Sequence, residues 1–387
     1  MNSIETSTAF VQRLFKEQYE LDIHLEKMYG TDFFPQTHVK QENGEFDYFI
    51  RYNKNLEVLL KLYNAVLLND NDTSQAIIEY VLFFSCLETD EYVKAEKHLN
   101  AFQTELAKLT IEHIDENEEQ IATQVLFVLL HEAYHVVFRY KPEVRLKALS
   151  SEQDRLADIQ AEWADISQTM TSNEIVSHPE ILKRIRNLRS SMLSKNERDE
   201  LEQILSRNMK WLEADDFEAI LQRKEDAFLE ELACDNYAWT YIMELMKSEN
   251  ASFETKLQLH NYMFAALNAM DFDHAFHSWY IPVKHNYIHY DGKKVIIRHK
   301  SFKSLVRHFL LIEDEKERRT DYLHLTDQIE KIFQETMMSM VKYHDELAVL
   351  YSDEERTVDS AWHDRLVNEM DEIIKKHFAT NQKHESM

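Results

Sequence analysis

Three features of the 387-residue sequence predict a mainly α-helical fold. Glycine and proline, which punctuate turns and interrupt helices, number only 3 and 4. Apolar residues make up 44% of the chain and aromatic residues 11%, enough to build sizeable cores. Several long apolar runs also carry helical rather than alternating spacing. The length accommodates two or three domains, with boundaries expected at 1–115 for an N-terminal helical region, 116–312 for a central region and 313–387 for a C-terminal helical region.

In chain order, the first region reads as helices broken once, between Tyr29 and Tyr52. There Gly30, Pro35 and "ENGEF" collect, and Asn43-Gly44 suggests a hairpin turn between two short strands. "NLEVLLKLYNAVLL" (55–68) and "SQAIIEYVLFFSCLE" (74–88) are strongly apolar helices joined by the turn-like "NDNDTS", an expected antiparallel core pair. Lys141-Pro142 is expected to end the helix containing "LLHEAYHVV", and a serine of "SSEQDRLADIQAEWADISQTM" to cap the next one. A further helix should follow His178-Pro179, then the charged connection "RNLRSSMLSKNERDELEQILSRN". The long apolar helix that follows carries "AFLEELACDNYAWTYIMELM" (227–246). Asp291-Gly292, between two segments rich in β-branched and aromatic residues, predicts a small β-hairpin near 280–299. From Glu313 the pattern returns to charged amphipathic helix.

The formal charge of −26 repels phosphate backbones and anionic lipid, so direct nucleic-acid binding and membrane association are not expected. A basic protein partner is the kind of macromolecule such a charge would attract, although solvated helix faces account for most of it. Cys86 and Cys234 both sit in apolar helical context, and the N-terminal residues lack the layout of a secretion signal; together these predict a cytoplasmic protein. The longest uninterrupted apolar stretch, Val125–Leu130, falls far short of the ~20 residues needed to cross a bilayer.

"LLHEAYHVV" (129–137) poses the chemical question. Buried in an apolar helix, His131, Glu132 and His135 cost several kcal/mol unless something pairs with them. Two histidines four apart project from one helical face and can reach one ion, with Glu132 beside them where a water on that ion would lie. This is the arrangement of zincins: zinc brings the pKa of its water to about 7, and the glutamate takes the proton as the water attacks a carbonyl. A chain with 19 histidines acquires such a motif by chance on the order of 0.1 times. The apolar flanks add specificity, because a working site needs rigid, water-excluding support.

A catalytic zinc needs a third protein ligand and an open fourth position. In "EELACDNYA", Glu231 and Asp235 stand four apart on one face. Glu231 can therefore ligate the ion while Asp235 orients a ligating histidine from behind. Glu162 in "QAEWADI" is a competing third ligand, closer in sequence and followed three residues later by Asp165. "HEAYH" followed by "ELACD" resembles the HExxH and ExxAD motifs of the gluzincin metallopeptidases, with Cys234 where those motifs usually have alanine. The likeness covers two helices, perhaps 35 residues. It implies a zincin-like catalytic region over 116–312, a zinc cofactor, peptide hydrolysis of a protein or peptide substrate, and Glu231 as third ligand. The chain is also loosely similar to the intracellular Lit-type phage-exclusion peptidases, in fold class and lifestyle rather than in residues outside HExxH.

Some peptidases of this type carry a His-Pro segment and a downstream arginine beside the cleft. "RHKSFKSLVRH" supplies His299 and Arg307 in that order, without the proline, as candidate stabilisers of an oxyanion. His178-Pro179 has the proline but precedes Glu231. His274, His277, His285 and His289 read as packing or surface residues. The alternative to an enzyme is a non-catalytic, acidic helical interaction protein whose zinc site is structural, closed by four protein ligands.

Overall fold

A computed structural model describes residues 3–29, 34–42, 45–68, 74–108, 118–169, 226–248, 251–280, 294, 297–299, 301–305 and 360–379. Helix accounts for 82% of the described residues, as the scarcity of glycine and proline predicts. The elements are α1 (Ser3–Tyr19), β1 (His24–Met28), β2 (Gln36–Glu42), β3 (Glu45–Asn53), α2 (Leu56–Leu68), α3 (Ser74–Glu88), α4 (Tyr92–Leu106), α5 (Glu118–Tyr140), α6 (Pro142–Thr169), α7 (Asp226–Ser248), α8 (Phe253–Tyr280) and α9 (Ser360–Ala379). The chain divides into two compact units. The first comprises Met1–Val136, Ala251–Tyr287 and His324–Met387, and the second comprises Val137–Asn250 and Ile288–Leu323.

In the first unit the expected hairpin forms. β2 pairs antiparallel with β3 from Gln36↔Arg51 to Glu42↔Glu45, on either side of Asn43-Gly44. A third strand, β1, was not foreseen. It lies parallel to β3, in the sheet order β1-β3-β2, and its sequence HLEKM is too short and polar to announce itself. Helices α2 and α3 form over the two apolar runs, with Leu59, Leu60, Ile77, Ile78, Val81 and Phe83 fully buried. A chain with so few glycines must end helices on other residues. Glu20, just after α1, and Asp90, just after α3, both take φ of 59°, a left-handed geometry costing roughly 1–2 kcal/mol without glycine. At α1 it permits the closing bond from Leu21 N–H to the Phe15 carbonyl, 3.3 Å.

α5 is apolar nearly all round. Val125, Phe127, Val128, Leu129, Leu130 and Ala133 are fully buried, the pattern of a helix enclosed by protein. By length and composition this one helix among those described could span a bilayer, longer than its uninterrupted apolar stretch suggested. Its most apolar window is, however, 89% buried inside the molecule. Tyr134 packs edge-on against Phe15 and Tyr19 of α1, at centroid distances of 5.1 and 6.4 Å. Gln124 exchanges two amide hydrogen bonds with Asn64 of α2, 2.8 and 2.9 Å, and donates to the carbonyl of Tyr262 in α8. These contacts fix the rotation of α5 about its axis and hence the direction in which its histidines point.

In the second unit α6 begins at Pro142, not at the serines of 150–151. Proline is well suited to the first helical position, where its missing N–H has no partner to lose. The Lys141 carbonyl accepts from Val144 and Arg145, 3.0 and 3.2 Å, and starts the helix. Leu149, Leu156 and Ile159 of α6 pack with Phe228, Leu229 and Leu232 of α7 and with Ile297.

The second half of the expected hairpin near 280–299 is corrected by this packing. Lys294, residues 297–299 and residues 301–305 are helical. Ile297, Phe302 and Leu305 are buried at spacings that one helical face satisfies and a strand would split between two faces. Packing of Ile297 on α6 and α7 overrides its β preference. Asp291-Gly292, residues 281–290 and the region around His178-Pro179 lie outside the described residues, as does the charged connection before α7. α9 is the described part of the C-terminal helical region. Its Asp371 accepts from Lys54, 2.5 Å, and from Tyr29, 3.0 Å, while Trp362 stacks on Tyr92 at 5.6 Å.

Candidate metal centre

Within the first unit, His131 and His135 stand one turn apart on α5, with His131 only 1% exposed. Their Nε2 atoms are 3.3 Å apart and their rings are inclined at 74°. A tetrahedral zinc with Zn–N bonds of about 2.0–2.1 Å separates two ligand nitrogens by about 3.3–3.4 Å. The pair therefore already has the spacing of one edge of a coordination tetrahedron.

Glu132 is buried, 8% exposed, and is held from the sheet. The Thr37 hydroxyl of β2 lies 2.9 Å from Glu132 Oε2 and 3.0 Å from its carbonyl oxygen. With Oε2 engaged by the threonine, Oε1 faces the imidazoles, 3.9 Å from His131 Nε2. A carboxylate beside a ligand pair, held through one oxygen and presenting the other, is suited to accept a proton.

Within the second unit, α7 carries three acids in sequence to different ends. Glu230, 2% exposed, is clasped between two arginines: Arg145 Nε at 2.6 Å and Arg139 Nη2 at 2.9 Å. Arg139 follows His135 by one turn on α5, and Glu230 precedes Glu231 on α7. Asp235, 3% exposed, accepts two parallel bonds from Arg298, Nε to Oδ2 at 2.6 Å and Nη2 to Oδ1 at 2.8 Å. This two-pronged geometry is the strongest that arginine and carboxylate make. The same Nη2 is 3.6 Å from Glu231 Oε2. Glu231 is the open member of the three, its side chain 40% exposed.

His131 and His135 of α5 and Glu231 of α7 are the side chains that the sequence offers as a ligand set. Their chemistry, two imidazoles and one carboxylate, suits zinc.

The remaining expectations fall out variously. Asp235 is held by Arg298, a residue that sequence reasoning did not single out, although its neighbour His299 had been noted. His299 is buried, 8% exposed, on the same helical segment. Arg307 lies outside the described residues, as do His285 and His289. Glu162 and Asp165 lie on α6, and His274 and His277 on α8, with their side chains outside the described ones. Thr37 was also missed. No local signal marks it, since it meets Glu132 across 95 residues of chain.

A buried network braces the segment that carries Arg298. Arg155 of α6 donates to the Ser301 carbonyl, 2.7 Å, to Ser304 and to Glu152, whose other oxygen accepts from Asn236 at 2.7 Å. Burial pushes the Glu152 carboxyl above its usual value, with Arg155 and Asn236 pulling the other way.

No protein-family model, curated protein or solved structure matches the chain. The gluzincin resemblance accordingly rests on the two motifs alone.

Proposed function

We propose that the chain is a zinc-dependent peptidase acting on a protein substrate, with His131, His135 and Glu231 as metal ligands and Glu132 as general base. The observation that carries this is the His131–His135 pair, with Nε2 atoms 3.3 Å apart, and Glu132 fixed beside the histidines by Thr37.

Zinc, when bound, supplies Lewis-acid polarisation of a substrate carbonyl and acidifies water. Glu132 accepts the proton at Oε1, the oxygen that Thr37 does not engage, and returns it to the leaving amine. Thr37 keeps the carboxylate from swinging away between these two transfers. Arg298, neutralised by Asp235 and close to Glu231, places a guanidinium in the role that sequence reasoning assigned to His299 or Arg307, countering negative charge that develops on the carbonyl oxygen.

The test is elemental analysis of the purified chain followed by digestion of a complex peptide library read by mass spectrometry. About one zinc per chain and defined cleavages are expected, with Glu132→Gln retaining zinc and losing cleavage. Failure to take up zinc, or undiminished cleavage by Glu132→Gln, refutes the assignment.

A further inference from the structure

A guanidinium on a long side chain keeps one position only when both its tip and its backbone are anchored. At the tip of Arg298, Asp235 of α7 accepts from Nε and Nη2 at 2.6 and 2.8 Å. At the backbone, three residues further on, Arg155 of α6 takes hold of the same stretch of chain: its Nη1 donates to the Ser301 carbonyl at 2.7 Å and to the Ser304 hydroxyl at 3.2 Å. The other two nitrogens of Arg155, Nε and Nη2, both rest on Glu152 Oε2, the first at 2.8 Å. Glu152 is aimed in turn by Asn236 Nδ2, 2.7 Å from its Oε1, and the orientation of that amide is set by Thr240, whose hydroxyl donates to Asn236 Oδ1 at 3.2 Å. Asn236 adjoins Asp235 on α7. The contacts thus close a ring through α6, α7 and the stretch carrying Arg298, all within the second unit, with Glu152 and Asp235 buried in it.

We infer that Arg155 is a positioning residue for the proposed reaction: it holds the Ser301–Ser304 turn so that Arg298 keeps its guanidinium on Asp235 and beside Glu231. This rests on the role proposed above for Arg298, through which Arg155 acts. The task calls for arginine. Its planar fork serves two directions at once, Glu152 on one side and the turn on the other, whereas the single ammonium of a lysine cannot span both. Asp235 alone fixes only the tip of Arg298. With the turn released, the other end of that side chain shifts, and the guanidinium leaves its place 3.6 Å from Glu231 Oε2. A group that stabilises developing charge depends on such placement, and a displacement of about 1 Å can cost on the order of 100-fold in rate. Glu152 keeps Arg155 in place, because a buried carboxylate must retain its donors.

The experiment uses the full zinc-loaded chain carrying isotope-labelled arginine, in which the Arg298 Nε–H resonance is identified by its loss in the double variant Arg298→Met, Asp235→Leu. Arg155→Lys keeps the charge opposite Glu152 but not the fork, and Ser304→Ala is a milder change that removes one acceptor. Both should move or broaden the Arg298 resonance, Arg155→Lys the more, while the melting temperature falls by only a few degrees. On a peptide that the parent cleaves, Arg155→Lys should lower kcat about tenfold or more and leave KM within about twofold. The kcat effect should disappear in the Arg298→Met, Asp235→Leu background, where there is no guanidinium left to place. A residue that serves stability alone would lower the melting temperature and leave the resonance of the folded molecules where it was. An unmoved resonance in both variants therefore overturns the inference, as does a kcat effect of equal size in the double-variant background or none in the parent. A displaced resonance in a chain that cleaves no peptide upholds the hold of Arg155 on Arg298 and counts against peptidase function, so the two failures are distinguishable.

Discussion

Replacing Arg298 by methionine, which keeps the length of the side chain and removes the guanidinium, exposes the charge balance of the second unit. In the native protein Asp235 is 3% exposed and its carboxylate rests on two arginine N–H groups at 2.6 and 2.8 Å. Without them, a buried carboxylate on α7 faces an apolar side chain. Removing one partner of a buried ion pair costs about 3–5 kcal/mol, a shift of roughly two to four decades in the folding equilibrium. The same replacement frees Glu231 from its 3.6 Å neighbour, but that carboxylate is 40% exposed and returns to water at little cost. The loss therefore belongs to Asp235. It is measured on zinc-free protein by urea unfolding followed by circular dichroism, so that metal binding does not contribute. The double variant Arg298→Met, Asp235→Leu should recover most of the loss, because it removes the buried carboxylate together with its arginine. A change below about 1 kcal/mol in Arg298→Met, or a double variant as unstable as the single one, would show that the pair does not carry the balance described.

Glu231→Ala should lose zinc to a mild chelator, while Glu162→Ala binds as the parent does; the converse result moves the site to α6. Glu230→Gln keeps the shape of the clasped side chain but weakens its hold on Arg139 and Arg145, and is expected to lower zinc affinity about 10–100-fold with helicity intact, read by chelator competition. Thr37→Val removes the hydroxyl that holds the buried Glu132 carboxylate, and should cost about 1.5–3 kcal/mol of stability without changing zinc content; Thr37→Ser should restore it, and a valine variant as stable as the parent argues against the contact. The pH dependence at Glu152 has a definite sign. Its folded-state value is raised above the ordinary 4.5, so its contribution is fully present below 4.5 and is lost as pH rises through the folded value. Compared with Glu152→Gln, the parent should therefore gain stability between pH 7 and pH 4.5, and a difference constant across that range contradicts the burial argument.

Much of the molecule follows from short windows of sequence. The shortage of glycine and proline dictates long helices, the apolar runs at 55–68 and 74–88 become α2 and α3, and the strands on either side of Asn43-Gly44 pair antiparallel. The histidines four apart in "HEAYH", and the acids four apart in "ELACD", necessarily share helical faces, because 3.6 residues per turn is a local property of the backbone. Tertiary structure decided what depends on distant partners. Residues 297–299 read locally as strand, yet they are helical because burying Ile297 against α6 and α7 outweighs a β preference that spans only about 1 kcal/mol. The parallel partner of β3, the threonine that holds Glu132 and the arginine that holds Asp235 are likewise set by long-range contacts. Each of those polar partners answers a desolvation cost: a carboxylate taken out of water must find a donor, and which donor reaches it depends on how the helices and strands pack, information that no single window of the chain contains.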